Sequence, residues 1–142
     1  SLIGLDTITD MDFGTSTTTV DQLDIAGVTS FNGSFDTVNV DSTAFNIDED
    51  VVVITSQAFS GIAAVDTFVE ARSTSATGAN ADKILIWQDT LGTVHMAVTV
   101  GADGAMSSAD QADEYTTTDL ATLSGLSISS IASLIDTGDF VA

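Results

Sequence analysis

The sequence predicts a mainly β domain, either β-roll-like or a β-sandwich, with one or two short helices. Apolar residues in the first third of the chain come singly at a spacing near two, which is typical of strands that bury one face. Two apolar runs, Val51–Ile54 and Lys83–Gln88, have the length of strands rather than of membrane spans. Helical spacing is found in short stretches near residues 61–72 and 128–135.

The length of 142 residues suits one domain with a hydrophobic core, and 44% of the residues are apolar. We therefore expect a single module over residues 1–142. The composition changes near residue 48, which leaves open a subdivision into a β-rich acidic part, 1–47, and a mixed α+β part, 48–142. Because position 1 is Ser rather than Met, we expect a fragment or a processed product.

The first half of the chain is predicted to run from short strands to a helix. Residues 1–47 should form strands between polar turns, and the β-branched run Val51–Ile54 should be a strand buried on both faces. Ser60 is a candidate N-cap for an amphipathic helix over residues 61–72. Its apolar positions at helical spacing are Ile62, Val65, Phe68 and Val69. Residues 73–81 are small and are expected to form a loop.

The second half opens with a predicted hairpin. Lys83–Gln88 and residues 93–100 are expected to be its strands, joined by a turn at residues 89–92 that contains Asp and Gly. Residues 105–116 are polar and acidic and are expected to form a surface loop.

The end of the chain predicts a strand or turn and then a helix. Residues 118–123 form the strand or short turn, and either Ser127 or Ser129 caps the short helix. The apolar residues of this helix are Ile128, Ile131, Leu134 and Ile135.

The charge of the chain is strongly one-sided. The formal net charge is −19, and Arg72 and Lys83 are the only Lys or Arg residues. Self-repulsion of this size opposes compaction, so bound metal ions or a salty medium are expected. The composition argues against binding of nucleic acid or of an anionic membrane, and no segment predicts membrane insertion. The absence of Cys excludes disulfides and thiolate zinc sites.

An aspartate cluster near the start is the main candidate metal site. Its members lie among short strands and turns, where carboxylates and backbone carbonyls can supply the oxygen ligands that Ca²⁺ prefers. They are Asp6, Asp10, Asp12, Asp21 and Asp24. The alternative is a solvated acidic edge that keeps strands from pairing with other chains.

A second acidic group precedes the first buried strand. Asp48 and Asp50 are candidates for another Ca²⁺ site, or they are charged residues that protect an aggregation-prone strand.

His95 and Trp87 are the remaining residues of chemical interest. No Ser/His/Asp order or His-Glu-x-x-His motif accompanies His95, so we expect a structural histidine and a chain that is not an enzyme. Trp87 lies in an apolar strand and is expected in the core rather than on a sugar-binding surface.

Three segments resemble one family. The stretch from Leu5 to Gly14, followed by Asp21-Gln-Leu-Asp-Ile25, resembles the segment that closes the calcium-binding β-roll of RTX-type (repeat-in-toxin) exoproteins. Ile84-Leu-Ile-Trp-Gln-Asp-Thr-Leu-Gly92, followed by Val94-His-Met-Ala97, is similar to a strand-turn-strand in the C-terminal modules of RTX and surface-layer-like proteins. Asp139-Phe140-Val141-Ala142 resembles the C-terminal signal for type I secretion.

The resemblance implies a Ca²⁺-stabilised structural module at the C-terminus of an extracellular or cell-surface protein. Its partners would be the type I secretion apparatus and further copies, in a homo-oligomer or polymer such as a layer or filament. The Gly-Gly-x-Gly-x-Asp repeats of the family are absent, so the chain would follow the repeats or be a relative without them. A Ca²⁺-dependent adhesive or sugar-binding module and the C-terminal part of a secreted hydrolase remain as alternatives.

Overall fold

The computed structural model describes residues 6–9, 11, 23–24, 37–40, 45–46, 51–74, 83–101, 115–135 and 140–141. These residues form ten strands and two helices. The strands are β1 (Asp6–Ile8), β2 (Leu23–Asp24), β3 (Thr37–Val40), β4 (Phe45–Asn46), β5 (Val51–Ile54), β6 (Ser73–Thr74), β7 (Lys83–Gln88), β8 (Val94–Gly101), β9 (Tyr115–Leu123) and β10 (Phe140–Val141), and the helices are α1 (Ile62–Arg72) and α2 (Ile128–Leu134). The prediction of a mainly β domain with short helices is confirmed.

Six of the strands form one mixed sheet in the order β1-β9-β8-β7-β5-β3. The neighbours β3 and β5, β5 and β7, and β1 and β9 are parallel, whereas β8 is antiparallel to β7 and β9. Strands from the two predicted parts of the chain, before and after residue 48, therefore share this sheet. Helix α1 connects β5 to β7, as a parallel pair requires a crossover.

The centre of the sheet is apolar on both faces. All four residues of β5 are buried, as the Val51–Ile54 run predicts. Because side chains alternate along a strand, Val52 and Ile54 join the core on one face, and Val51 and Val53 join the core on the other. The first core also contains buried side chains of α1, whereas the second contains those of α2. Each face of the sheet is thus covered by a helix.

Helix α1 packs on the first face through Val65, Phe68 and Val69, which are buried. Each such burial contributes roughly 1.5–3 kcal/mol before the cost of ordering the chain. The helix begins at Ile62, and the Gly61 carbonyl accepts hydrogen bonds from the backbone N–H groups of the first turn. Gly61 is therefore the N-cap, and the prediction of Ser60 is wrong by one residue.

Helix α2 packs on the second face through Ile131, with Ile135 just beyond its end. The Ser127 hydroxyl accepts a hydrogen bond from the Ser130 backbone N–H at 3.2 Å, so Ser127 is the cap that the sequence predicts as one of two candidates. Met11 lies in the same core and is buried.

The predicted hairpin is confirmed as β7 and β8, and β9 adds a third antiparallel strand. The expected loop over 105–116 is wrong at its end, because β9 begins at Tyr115 and pairs with Gly101. Threonines dominate this part of β9, and threonine suits a strand although its polarity resembles that of a loop.

Two short parallel pairs among the described strands are separate from the main sheet. Strand β4 pairs with β6, so the expected loop over 73–81 is wrong for its first two residues. Strand β2 pairs with β10, which places Leu23 opposite Phe140 and Asp24 opposite Val141.

Candidate functional site

The chain's one histidine and one tryptophan lie side by side on the face of the sheet that α1 covers. His95 of β8 pairs directly with Trp87 of β7, and paired residues of neighbouring strands project to the same face. Their rings stack with centroids 4.2 Å apart and planes inclined by 13°. The hairpin register therefore fixes the histidine against an aromatic surface.

Two carboxylates lie against opposite nitrogens of the His95 ring. Asp89 Oδ2 is 3.5 Å from Nε2, and Asp119 Oδ2 is 3.4 Å from Nδ1. The His95 side chain is 13% exposed, and neither ring nitrogen makes a hydrogen bond within the described ranges. Both separations slightly exceed the 2.7–3.2 Å that is usual for such a bond. We call Asp89, His95 and Asp119 the histidine cluster.

Asp89 is held in place by the turn that joins β7 to β8. Its Oδ1 accepts hydrogen bonds from the backbone N–H groups of Leu91, at 2.9 Å, and Thr93, at 2.8 Å. Burial of the carboxyl acts to raise its pKa. The hydrogen bonds from Thr93 and Leu91, together with the nearby His95 ring, outweigh that effect and lower the pKa below the ordinary 3.8. Gly92 completes the turn with a φ of +92°, which favours glycine.

Asp119 reaches the histidine because β9 contains a bulge. Ala97 pairs with Asp119 but the preceding Met96 pairs with Ala121, so Leu120 is an extra residue on β9. Asp119 and Ala121 consequently face opposite sides of the sheet, although their spacing of two would place them on one side of a regular strand.

The Asp119 carboxylate is anchored by the tryptophan. Trp87 Nε1 donates to Asp119 Oδ1 at 3.1 Å, which leaves Oδ2 directed at His95. Burial raises the pKa of the Asp119 carboxyl above 3.8, although the Trp87 hydrogen bond and the His95 ring both act to lower it.

The support beneath the cluster is aromatic and buried. Trp87 is 1% exposed, which confirms that it belongs to the core. Phe59 contacts it edge to face at 6.1 Å between ring centroids, and Phe68 contacts Phe59 in the same manner at 5.1 Å. A buried indole cannot present its face to a sugar.

The geometry limits the chemistry available to His95. A catalytic histidine uses one nitrogen for an orienting carboxylate and the other for a nucleophile or substrate, but here a carboxylate faces each nitrogen. The two carboxylates also lie on opposite sides of the ring and so do not converge on one ion. Within the ranges that the structure describes, no three His, Cys, Asp or Glu residues form a group suited to a metal.

A second polar contact joins α1 to the sheet nearby. The Thr117 hydroxyl hydrogen-bonds Asp66 Oδ1 of α1 and lies 3.1 Å from the hydroxyl of the fully buried Thr99. These groups satisfy one another, which accounts for a buried threonine in an otherwise apolar layer.

The predicted calcium ligands lie mostly outside the described residues. Asp6 begins β1 and pairs with Ala121 of β9, and Asp24 lies in β2 opposite Val141 of β10. The others, Asp10, Asp12, Asp21, Asp48 and Asp50, lie outside the described ranges. The calcium site stays a prediction.

The predicted secretion signal is partly described. Phe140 and Val141 form β10 and lie parallel to β2, whereas Asp139 and Ala142 lie outside the described ranges. The segment proposed for export and part of the segment proposed for Ca²⁺ binding are thus strand partners.

Asp89 and Asp119 were not predicted as site residues from the sequence. Asp89 fits the hairpin turn that the sequence predicts, and nothing in the Thr-rich run before Leu123 marks the bulge. The pairing of β7 with β8 could have suggested that Trp87 stacks on His95, because the turn fixes the register.

Comparison with protein-family models, with curated proteins and with solved structures finds no match to this chain. None of the helices in the described ranges is long and apolar enough to cross a bilayer. Function must therefore be inferred from the residues and their geometry.

Proposed function

We propose that this chain is a Ca²⁺-stabilised structural module, without catalytic activity, of a type I-secreted extracellular or cell-surface protein. The observation that carries the proposal is the charge: 21 acidic residues accompany two Lys or Arg residues. Asp89 and Asp119 each lie within 3.5 Å of the His95 ring, so the histidine cluster itself places two acids against one ring. Cations from the medium are the available source of compensation.

Calcium would act on folding through mass action. An ion that binds the folded chain and not the unfolded chain adds about 2.7 kcal/mol of stability at one hundred times its dissociation constant. Low Ca²⁺ inside the cell would leave the chain loosely folded and competent for export, and high Ca²⁺ outside would fold it. The ligands would come from Asp6, Asp10, Asp12, Asp21 and Asp24, with Asp48 and Asp50 at a second site.

The sheet supports the placement of the first ligands. Strand β1 is held on β9 by its parallel ladder, by the Thr122–Thr7 hydroxyl contact at 3.2 Å and by the Ser124 N–H that donates to the Ile8 carbonyl at 2.8 Å. Ile8 packs against the core of the α2 face. An ion bound through Asp6 would therefore be linked directly to the main sheet.

Screening of the chain's negative charge by cations would also allow copies of the chain to assemble. Among the described strands, β1 and β3 are the outer strands of the six-stranded sheet. Outer strands carry unpaired backbone groups that can pair with another chain, and repulsion between anionic copies would oppose this until cations screen it. A homo-oligomer or polymer is the expected state in Ca²⁺.

The test is thermal unfolding, monitored by circular dichroism, of the chain after its metal ions are removed with a chelator and CaCl₂ is then added in steps. We expect the melting temperature to rise by roughly 10 °C at saturation, since each kcal/mol shifts a domain of this size by about 3–5 °C. NaCl at equal ionic strength is the control for general screening. An equal rise in NaCl, or no rise in Ca²⁺, would contradict the proposal.

A matched pair of variants locates the ion. Asp10→Asn with Asp12→Asn removes two proposed ligands, and Asp110→Asn with Asp113→Asn removes the same charge from a predicted surface loop. We expect the first variant to need at least tenfold more Ca²⁺ for half of the shift and the second to behave as the parent chain. Equal effects would assign the stabilisation to net charge alone.

A further inference from the structure

The histidine cluster contains more acceptors than a neutral imidazole can satisfy. A neutral ring has one N–H donor and one nitrogen that accepts, whereas the doubly protonated ring has two donors. Here a carboxylate oxygen faces each nitrogen, at 3.4 and 3.5 Å. In the neutral ring one nitrogen lone pair must therefore point at a carboxylate, and only the imidazolium can donate to both sides.

We propose that Asp89, His95 and Asp119 form a proton-operated latch that ties the β7–β8 turn to β9. When His95 takes one proton from solvent, each nitrogen donates to its carboxylate and both contacts shorten to charge-assisted hydrogen bonds. When the proton returns to solvent, one of the two contacts is lost and the turn is released from β9. The proposal is independent of calcium binding.

The carboxylates are prepared for this role because each uses its other oxygen elsewhere. Asp89 Oδ1 accepts from the turn backbone and Asp119 Oδ1 accepts from Trp87 Nε1, so neither carboxylate is free to rotate away. The lowered pKa of Asp89 keeps that acceptor ionised. The stacked indole also favours the protonated imidazole over the neutral one, since a cation within about 6 Å of an aromatic ring is attracted to its face.

A third acidic group near this face, Asp66, is already engaged. Asp66, which α1 places against β9, hydrogen-bonds Thr117. From the strands and the turn packed around His95, the charged groups that face its ring within the described ranges are Asp89 and Asp119. Strand β9 also places Thr122 opposite His95, but threonine does not titrate in this range.

The chain supplies its own reporter of the latch. Trp87 is the single tryptophan and His95 the single histidine, so intrinsic fluorescence reports on the ring that stacks against it. The experiment is a titration of the full chain from pH 5 to 8.5 at constant Ca²⁺ and ionic strength, with fluorescence and the urea midpoint measured at each pH. Asp66→Asn, which leaves the ring contacts intact, is the charge control.

We expect the Trp87 fluorescence and the stability each to change with pH in a single step that corresponds to one proton. The urea midpoint should fall by about 0.5–1 M as the pH rises through the step, because the lost contact no longer holds the turn on β9. His95→Gln should abolish both steps, Asp119→Asn should diminish them, and Asp66→Asn should retain them. A step that persists in His95→Gln would overturn the latch. Urea midpoints that are the same in the parent chain and in His95→Gln at every pH would also overturn it.

Should His95→Gln fail to fold, the ring nitrogens of the parent chain decide the matter by ¹⁵N spectroscopy. The latch requires two protonated nitrogens below the step, with ring protons protected from exchange. A ring that keeps one unprotonated nitrogen across the whole range while the chain remains folded would refute the proposal.

Discussion

Replacing Trp87 with Phe tests the anchoring of Asp119 because it removes the indole N–H but leaves an aromatic ring. The lost hydrogen bond, 3.1 Å long, goes to a carboxylate whose side chain is 23% exposed. Hydrogen bonds to charged groups contribute about 1.5–3 kcal/mol, and partial exposure favours the lower end. The smaller ring also leaves space at a position that is 1% exposed, which costs about 1–2 kcal/mol more. We expect a total loss of about 2–4 kcal/mol.

A double-mutant cycle separates the bond from the packing. Asp119→Ala leaves the Trp87 N–H buried without its acceptor, whereas the double variant removes both groups. The double variant should therefore lose about 1 kcal/mol less than the sum of the two single losses. The assay is urea unfolding followed by circular dichroism at constant Ca²⁺, because fluorescence is lost with the tryptophan. Losses that add within about 0.5 kcal/mol would refute the anchoring.

Two further predictions concern acid and the core. The folded chain raises the pKa of Asp119 above 3.8, so the native state binds that proton more tightly than the unfolded chain. The stability that Asp119 contributes at low pH is therefore lost as the pH rises from 3.8 through its folded pKa. Asp89 has the opposite sign, since its lowered pKa gives stability above 3.8 that is lost as the pH falls through the folded pKa. Urea midpoints from pH 3 to 6 should therefore change slope in opposite directions for Asp119→Asn and Asp89→Asn, and equal slopes would contradict both assignments. Ile131 of α2 is 1% exposed, and Ile131→Ala should lower the free energy of unfolding by about 2–5 kcal/mol in the same assay. The control is Leu91→Ala, at a side chain that is 90% exposed, which should cost less than about 0.5 kcal/mol. Similar losses for the two variants would show that α2 does not cover the sheet.

The local elements of this fold were predictable because their signals lie within a few residues. The run Val51–Ile54 is apolar throughout because both faces of β5 are buried, and Ile62, Val65 and Val69 mark one side of α1. The β7–β8 hairpin was predictable since Asp89 and Gly92 are turn residues with a local mechanism. The threonine run at the start of β9 was not, since its polarity is equally typical of loops.

The sequence alone determined the charge, the central strands, the two helices and the place of Trp87 in the core, because composition and periodicity are local properties. Only the tertiary structure decided which strands are neighbours and which carboxylates meet the histidine. Trp87 and Asp119 are 32 residues apart, and their contact depends on β8 lying between their strands and on the extra residue Leu120. Such contacts arise from the order and register of strands across the sheet, which no periodicity within a single segment encodes.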